Sequence, residues 1–227
     1  MLHQGVFSIY KPVGMTSHDM VNCVRRATKV KRVGHGGTLD PLAEGVLVIA
    51  VGRENTKKLD IYVKGDKEYI ATLMLGYISE TDDKEGPIHE YKQSIDTGDK
   101  LNTKTTPTTK EVTECIKKFI GDILQTPSQY SAIKVNGKEA YKRIRKGEDF
   151  KMEKRLVVIK NIEIVSYSYP KLELKVECGT GVYIRSLARD IGESLHTGAY
   201  ITRLVRTRVA EFNLDQTVKL EELKSKI

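Results

Sequence analysis

An unbroken apolar run, Val-Leu-Val-Ile-Ala-Val at residues 46–51, is bounded by Gly45 and Gly52. Four of its six residues are β-branched, and such side chains favour an extended backbone. A short apolar segment between glycines is typical of a strand buried inside a sheet. We therefore predict a buried strand here and a fold built around a sheet.

Weaker patterns on both sides of this run indicate further elements. They predict helices at residues 18–29 with Ser17 as N-cap, after Thr108 or Thr109 with a Thr108-x-x-Glu111 capping box, at about 140–147, at 184–195 and at 218–226. Strands are predicted at residues 69–75, 155–167, 171–178 and 200–212, and residues 76–109 are predicted to form a long polar loop. Strands and helices do not alternate regularly, so the expected class is α+β, with a mixed, largely antiparallel central sheet flanked by helices.

Length, composition and cysteine spacing limit the number of domains and the cellular compartment that we expect. The length of 227 residues fits one compact domain. No segment approaches the ~18 apolar residues that a membrane span requires, and the start of the chain lacks the pattern of a secretion signal. Cys23, Cys115 and Cys178 form no C-x-x-C pair, which argues against a disulfide framework and a zinc site. We expect a cytoplasmic protein with reduced thiols, no bound metal and no membrane partner.

The formal net charge of +8 is concentrated in two stretches. Residues 1–60 carry +4 and residues 126–160 carry +6. Such blocks suit contacts with nucleic-acid phosphates, although a solvated lysine-rich face would have the same composition. Charge alone leaves both interpretations open.

A glycine-rich loop with a single central carboxylate precedes the apolar run, at residues 33–47. Its spacing fits neither a P-loop nor a dinucleotide-binding fingerprint, since no Lys follows a glycine at the required place and Leu39 stands where a third glycine is needed. Pro41 biases Asp40 towards an extended conformation, so we expect its carboxylate to be held in place. An Asp-Pro pair taken by itself more often caps a turn than acts in catalysis.

The whole chain resembles the TruB family of tRNA pseudouridine synthases. The loop matches the family pattern G-H-x-G-x-L-D-P-x-A-x-G-x-L from Gly34 to Leu47. Further matches follow in the family's order: Lys11-Pro-Val-Gly-Met-Thr-Ser17, Lys67-Glu-Tyr69, residues 125–137, Gly181-Val-Tyr-Ile-Arg-Ser-Leu187 and Leu204-Val-Arg-Thr207. Two departures stand out. Ser128 replaces the second proline of the family's Q-x-P-P-x-Y motif. Most bacterial members continue into a C-terminal PUA-type domain, which we do not expect within these 227 residues; a naturally short member and a truncated chain both stay open.

The resemblance implies a pseudouridine synthase fold over residues 1–227 as a single catalytic domain, with a thumb-like RNA-binding insertion at about 125–152. It implies Asp40 as nucleophile, Tyr69 as a uracil-pocket residue and base, and Arg185 as the partner that keeps Asp40 ionised. The implied substrate-binding residues are His35, Tyr183, Leu204, Lys134 and Arg145. Further phosphate contacts are implied for the neighbouring basic residues Lys138, Lys142, Arg143 and Lys146.

The function implied in this way is conversion of a uridine in the T-arm loop of tRNA, at position 55, to pseudouridine. A flipped-out nucleotide would be attacked without any cofactor, and no obligatory protein partner is inferred. Two alternatives stay open at this point. One is a non-catalytic RNA-binding or tRNA-folding module with the same fold, and the other is a hydrolase that uses Asp40 with a second acid such as Glu44. Taken without the motifs, core or loop roles would be favoured for all four of Tyr69, Tyr183, Leu204 and His35.

Overall fold

The computed structural model describes residues 4–92 and 106–223. The strands in these ranges are Gly5–Lys11 (β1), Val33–His35 (β2), Glu44–Val51 (β3), Lys67–Leu75 (β4), Tyr77–Ser79 (β5), Ile88–Glu90 (β6), Gly121–Gln125 (β7), Lys134–Val135 (β8), Lys138–Glu139 (β9), Arg155–Ser168 (β10), Lys171–Cys178 (β11), Ala199–Val209 (β12) and Phe212–Asn213 (β13). The α-helices are Ser17–Thr28 (α1), Arg53–Thr56 (α2), Leu59–Lys64 (α3), Thr109–Lys117 (α4), Ala140–Ile144 (α5) and Ile184–Ser194 (α6). Two short 3₁₀ helices follow, at Leu214–Gln216 and Leu220–Leu223. The predicted terminal helix is therefore a 3₁₀ turn as far as residue 223, and its remainder lies outside the described residues.

The strands confirm the α+β class. Nine of them form one sheet in the order β1-β3-β12-β4-β11-β10-β7, with β2 paired to β3 and β13 to β12. The pair β3–β12 is parallel, whereas β1–β3, β2–β3, β7–β10 and β12–β13 are antiparallel. The sheet is thus mixed and largely antiparallel. Two separate hairpins, β5–β6 and β8–β9, complete the β structure of the described ranges.

The chain divides into two compact units. The first contains residues up to Ile70, Val176–Thr180 and those from Arg203 onward, and the second contains Ala71–Lys175 and Gly181–Thr202. The expectation of a single catalytic domain with a thumb-like insertion stays a prediction.

In the first unit, strand β3 is buried on both faces, as its composition predicts. Alternate residues of a strand point to opposite faces. Leu47, Ile49 and Val51 belong to one core cluster together with residues of β1 and helix α1, while Val46 and Val48 pack in another with Val209. A strand covered on both sides has no polar face, which explains the unbroken apolar run.

Helix α1 lies where the sequence predicts it, but Ser17 as its N-cap is wrong. Thr16 is the cap: its side chain accepts from the Asp19 amide, and the Asp19 side chain accepts from the Thr16 amide in return. The Thr16-x-x-Asp19 spacing supplies both halves of this reciprocal arrangement, which a cap at Ser17 would lack. Ser17 is therefore free to make a different contact, described below.

In the second unit, part of the predicted polar loop is a hairpin. Strands β5 and β6 pair from Tyr77↔Glu90 to Ser79↔Ile88, although three-residue strands leave little alternation in the sequence to reveal them. Residues 93–105, also within that loop, lie outside the described residues. Helix α4 has the predicted Thr108–Glu111 capping box.

The predicted turn at Asn136-Gly137 connects β8 and β9. Both residues have positive φ, 51° and 80°, as a two-residue hairpin turn of the Asn-Gly kind requires. Helix α5 follows directly and ends within the predicted range. This part of the second unit carries most of the basic residues of the predicted insertion.

Candidate active site

Asp40 lies in the first unit, in the loop between β2 and β3, and is half-buried. Its carbonyl accepts from the Ala43 amide at 3.1 Å, and the Pro41 carbonyl accepts from the Gly14 amide at 2.8 Å. The turn that carries the carboxylate is thus bonded both to itself and to the loop after β1. The expectation that Pro41 holds the carboxylate of Asp40 in place stays a prediction.

Two side chains from the N-terminal motif secure this loop. Lys11 is fully buried, and its ammonium donates to the carbonyls of Pro12, Met15 and Pro41 at 2.9, 2.7 and 3.4 Å. The hydroxyl of Ser17 accepts from the Leu39 amide at 2.8 Å and donates to the Leu39 carbonyl at 3.1 Å. The residue next to Asp40 therefore has both backbone groups satisfied by one buried side chain.

A third buried side chain, Arg206 of β12, holds the loop from the other side. It is 1% exposed. Its Nε donates to the Val46 carbonyl at 2.8 Å, Nη1 to Thr38 at 3.3 Å and Nη2 to Gly37 at 3.2 Å. The approach of β12 needs glycine at position 45, because a Cβ there would come within 2.3 Å of the Arg206 carbonyl oxygen. Close packing of the two strands brings the guanidinium to the loop.

Tyr69 of β4 is buried in the same unit and lies within the electrostatic reach of Asp40. Burial raises the pKa of its hydroxyl, and the charges of Cys178 and Asp40 act in the same direction. Arg206 opposes them through its charge and a hydrogen bond, but the pKa stays above its usual range. Tyr69 is therefore a neutral hydroxyl at neutral pH.

The other predicted residues of the first unit differ in exposure. His35, at the end of β2, is half-buried, and burial together with the charge of Arg206 lowers its pKa, which favours the neutral imidazole. Leu204 on β12 is 5% exposed. Lys67, at the start of β4, has its pKa lowered by burial and by Arg206, and donates to the Val63 and Gly65 carbonyls at the end of α3.

Arg185 lies in the second unit, in the first turn of helix α6, and is 4% exposed. Its Nη1 donates to the Thr81 carbonyl at 3.0 Å and Nη2 to the Tyr130 carbonyl at 3.1 Å. The Asp83 carboxylate is 3.5 Å from Nη1. Arg185 is therefore a buried residue with hydrogen bonds to two loops of its own unit. Its predicted partnership with Asp40 joins residues of different units and stays a prediction.

Tyr183 is the N-cap of α6 and is half-buried. Its amide donates to the side-chain carbonyl of Gln125 at 2.8 Å, and Gln125 is 1% exposed at the end of β7. Gly181 precedes it with φ of 82°, a conformation that glycine adopts without strain. A hydrogen bond thus joins the motif that begins at Gln125 to the motif that begins at Gly181, both within this unit.

Ser128, the residue that departs from the family pattern, has a polar role here. Its hydroxyl accepts from the Tyr130 amide at 3.4 Å and hydrogen-bonds to the carboxylate of Asp82. Asp82 also accepts from Arg189 at 3.1 Å. Burial raises the pKa of Asp82 despite these partners. A proline at position 128 would provide none of this bonding.

The basic residues of the insertion separate into two groups. Exposed cations lie on and around β8, β9 and α5: Lys134, Lys138, Lys142, Arg145 and Lys146. Lys142 among them pairs with Glu139 at 3.2 Å. Arg143 is half-buried, pairs with Glu148 at 2.7 Å and lies 4.5 Å over the Phe150 ring. Arg143 therefore stabilises the local structure, whereas the side chains of Lys134 and Arg145 are exposed.

Glu44, the second acid of the hydrolase alternative, is part of a structural ion pair. It accepts from the Tyr10 hydroxyl and from Arg203 at 2.9 Å. Burial would raise its pKa, but these two hydrogen bonds outweigh that effect and lower it. An ionised, paired Glu44 is poorly suited to act as a general acid.

The sequence predicts Asp40, Tyr69, His35 and Leu204, and the first unit contains all four. It misses Lys11 and Arg206, although both lie in matched motifs, because nothing in a sequence distinguishes a buried cation from an exposed one. Within residues 4–92 and 106–223, no group of three or more His, Cys, Asp or Glu side chains is placed to hold a metal ion. No helix in those ranges is long and apolar enough to cross a membrane.

Known proteins share this arrangement of sequence and fold. A family model described as "TruB family pseudouridylate synthase (N terminal domain)" matches residues 25–184, and one described as "tRNA pseudouridylate synthase B C-terminal domain" matches residues 185–227. Proteins named tRNA pseudouridine synthase B from Clostridium tetani and Corynebacterium diphtheriae are 40% and 42% identical, over 96% of this chain and 72% of each relative.

Among solved structures, a Cbf5-Nop10-Gar1 complex contains a similar chain, with a TM-score of 0.74 and 26% identity over 98% of this chain. This chain spans about half, 54%, of that longer one. The motifs, the fold and these matches agree: the chain belongs to the TruB family of pseudouridylate synthases.

Proposed function

We propose that this chain is an isomerase that converts a uridine in the T-arm loop of tRNA, at position 55 in the usual count, to pseudouridine, with Asp40 as the nucleophile. One observation carries the proposal. The loop of Asp40 is held by the buried side chains of Lys11, Ser17 and Arg206, and its carboxylate acts electrostatically on a buried tyrosine. A nucleophile held in this way loses little entropy on reaching the reactive geometry.

The reaction breaks the N1–C1′ bond of uridine, turns the freed uracil, and rejoins it to the ribose through C5. Base and sugar are both retained, so no cofactor is needed. A carboxylate nucleophile divides this difficult exchange into two easier steps. Asp40 supplies the carboxylate, whether it attacks the ribose C1′ or the base. The proton on C5 must then leave and N1 must gain one. The Tyr69 hydroxyl is the proposed relay: its oxygen takes the proton from C5 as its own proton passes on towards N1, so that Tyr69 is neutral before and after the step.

The target nucleotide must leave its stack before Asp40 can reach it. Unstacking costs a few kcal/mol, less in a loop than in a duplex, and aromatic contacts offset it. We assign Tyr69 and Tyr183 to the uracil pocket, Leu204 to its wall, and His35 to the gap that the flipped base leaves. A neutral His35 suits that role, because a stacking imidazole avoids the desolvation of a charge.

Affinity for RNA is assigned to the exposed cations of the insertion, with Lys134 and Arg145 as phosphate contacts. Phosphate contacts account for much of nucleic-acid affinity and are sequence-independent. We further propose that tRNA is the macromolecular partner, that no other protein is required for turnover, and that the enzyme acts in the cytoplasm. Turnover by the purified chain alone tests the second of these statements.

The way in which the loop of Asp40 is held argues against a non-catalytic RNA-binding module. Binding alone would not need a carboxylate in a loop secured by Lys11, Ser17 and Arg206. The hydrolase alternative is weaker still, because Glu44 is engaged with Tyr10 and Arg203.

Release of tritium distinguishes these alternatives. Unmodified tRNA labelled at uracil C5 is incubated with the wild type, with Asp40→Asn, and with Asp60→Asn, a control at an exposed aspartate of α3. We expect release by the wild type and by Asp60→Asn, and none by Asp40→Asn. Tight tRNA binding by the wild type without any release would favour the binding-module alternative.

A further inference from the structure

Strand β12 carries three arginines, and the middle one differs from its neighbours. Arg203 has an exposed side chain and pairs with Glu44 at 2.9 Å, and Arg208 pairs with Glu177 at 2.7 Å. Arg206 is 1% exposed, and no ion pair joins it to a carboxylate in the ranges that the structure describes. Burial of a cation is costly unless hydrogen bonds compensate for the missing water. The burial of Arg206 therefore needs an explanation that its neighbours do not.

The hydrogen bonds of Arg206 go to the loop of Asp40. A guanidinium presents its N–H groups in a rigid planar fork, and here Nη1 and Nη2 bind the carbonyls of Thr38 and Gly37 while Nε binds that of Val46. Thr38 lies two residues before Asp40, and Val46 lies at the start of the buried part of β3. One side chain thus fixes the backbone on both sides of the nucleophile.

The same guanidinium acts on the Tyr69 hydroxyl. Its positive charge and its N–H donors both lower the pKa of that hydroxyl, with the charge as the larger effect, and so favour loss of the tyrosine proton. The other charged or titratable groups that act on Tyr69 are the Cys178 thiol, whose pKa burial raises to about 12, and the Asp40 carboxylate. Both oppose deprotonation of Tyr69 when charged. Among the groups that act on Tyr69, Arg206 is the one whose charge lowers the pKa of the Tyr69 hydroxyl and so favours transfer of the tyrosine proton.

We propose that Arg206 is a positioning residue for the reaction: it fixes the loop that carries Asp40 and orients the Tyr69 hydroxyl, so that one buried cation sets the nucleophile and the proton-transfer group together. The inference rests on the proposed function for its kinetic consequence. Its electrostatic consequence is a property of the free protein and is independent of turnover.

The test uses three variants of the full chain, Arg206→Gln, Arg206→Lys and the control Arg203→Gln, with 3-fluorotyrosine at position 69. Fluorine NMR follows the titration of residue 69 in the free protein, and steady-state kinetics give kcat and KM on tRNA. We expect Arg206→Gln to raise the pKa of residue 69 and lower kcat about 100-fold, the effect of losing one preorganised donor, with KM within threefold. Arg203→Gln should leave the titration and kcat as in the wild type.

Arg206→Lys separates the two roles. Its ammonium keeps the charge near Tyr69 but cannot reproduce the planar fork, so the titration should stay close to that of the wild type while kcat falls at least tenfold. Wild-type kcat and titration in Arg206→Lys, or in a folded Arg206→Gln, would overturn the inference. If Arg206→Gln does not fold, Arg206→Lys still decides. If the wild type has no turnover, the proposed function fails, while the titration still tests the charge at Tyr69.

Discussion

Single residues distant in sequence hold the backbone around Asp40. Lys11, Ser17 and Arg206 all direct their polar atoms at carbonyl or amide groups of the loop. Backbone partners of this kind do not depend on the side chains of the loop itself. The geometry of the loop is therefore set by residues from other segments, and we propose that its chemistry is carried by Asp40.

Ser17→Ala should weaken both stability and catalysis. It leaves the buried amide and carbonyl of Leu39 without their partner, at about 1–3 kcal/mol for each group, and it loosens the residue next to Asp40. We expect kcat to fall on the order of 10-fold, since small misplacements of reacting groups are costly. Thr16→Ala is the matched control: loss of the cap should cost about 1 kcal/mol of unfolding free energy with kcat unchanged. Equal kcat in both variants would show that Ser17 does not position the loop.

Arg185→Lys should abolish most activity without unfolding the protein. A lysine ammonium cannot donate in two fixed directions to the carbonyls of Thr81 and Tyr130 and also face Asp83. We expect at least about a tenfold loss of kcat, measured beside the thermal unfolding midpoint. Arg155→Lys, at an exposed position on β10, serves as the control. Near-normal turnover of Arg185→Lys would remove Arg185 from the site.

At the scale of elements, the sequence predicts what local patterning determines. Strand β3 and helix α4 are foreseen because burial on two faces and a capping box leave clear signals. Strands β1 and β7 are not, because pairing with partners remote in sequence stabilises them. The β5–β6 hairpin is not, because its three-residue strands leave little alternation in the sequence. The same limit applies to the site: a motif indicates Asp40, whereas the roles of Lys11 and Arg206 depend on contacts that only the fold creates.

The basic insertion around β8, β9 and α5 should contribute to RNA binding through its exposed cations. Replacing Lys134 and Arg145 by glutamine should reduce the slope of log affinity against log salt by roughly 0.7–0.9 for each phosphate that is no longer neutralised. Lys110→Gln with Lys118→Gln, at exposed lysines in and directly after α4, is the matched double control. An unchanged slope for the Lys134 and Arg145 variant would count against this element as the RNA-binding surface.

In the molecule as a whole, we propose that different residues hold the RNA and transform it. The net charge of +8 favours association with a polyanion. The exposed lysines and arginines that contribute to this charge lie outside the loop of Asp40. Replacement of Asp40 by asparagine removes a negative charge, so it should not weaken tRNA binding. Binding and turnover should therefore be separable by this one substitution.

The most direct measurement maps the product on the tRNA itself. Unmodified tRNA is treated with the wild type or Asp40→Asn, and pseudouridine is located by carbodiimide labelling and reverse transcription, with binding measured on the same preparations. We expect pseudouridine at position 55 with the wild type, and none with Asp40→Asn at an affinity within about threefold of the wild type. Pseudouridine at position 55 in the Asp40→Asn reaction, or its absence with a wild type that binds tRNA tightly, would contradict the assignment of Asp40 as the nucleophile of a tRNA pseudouridine synthase.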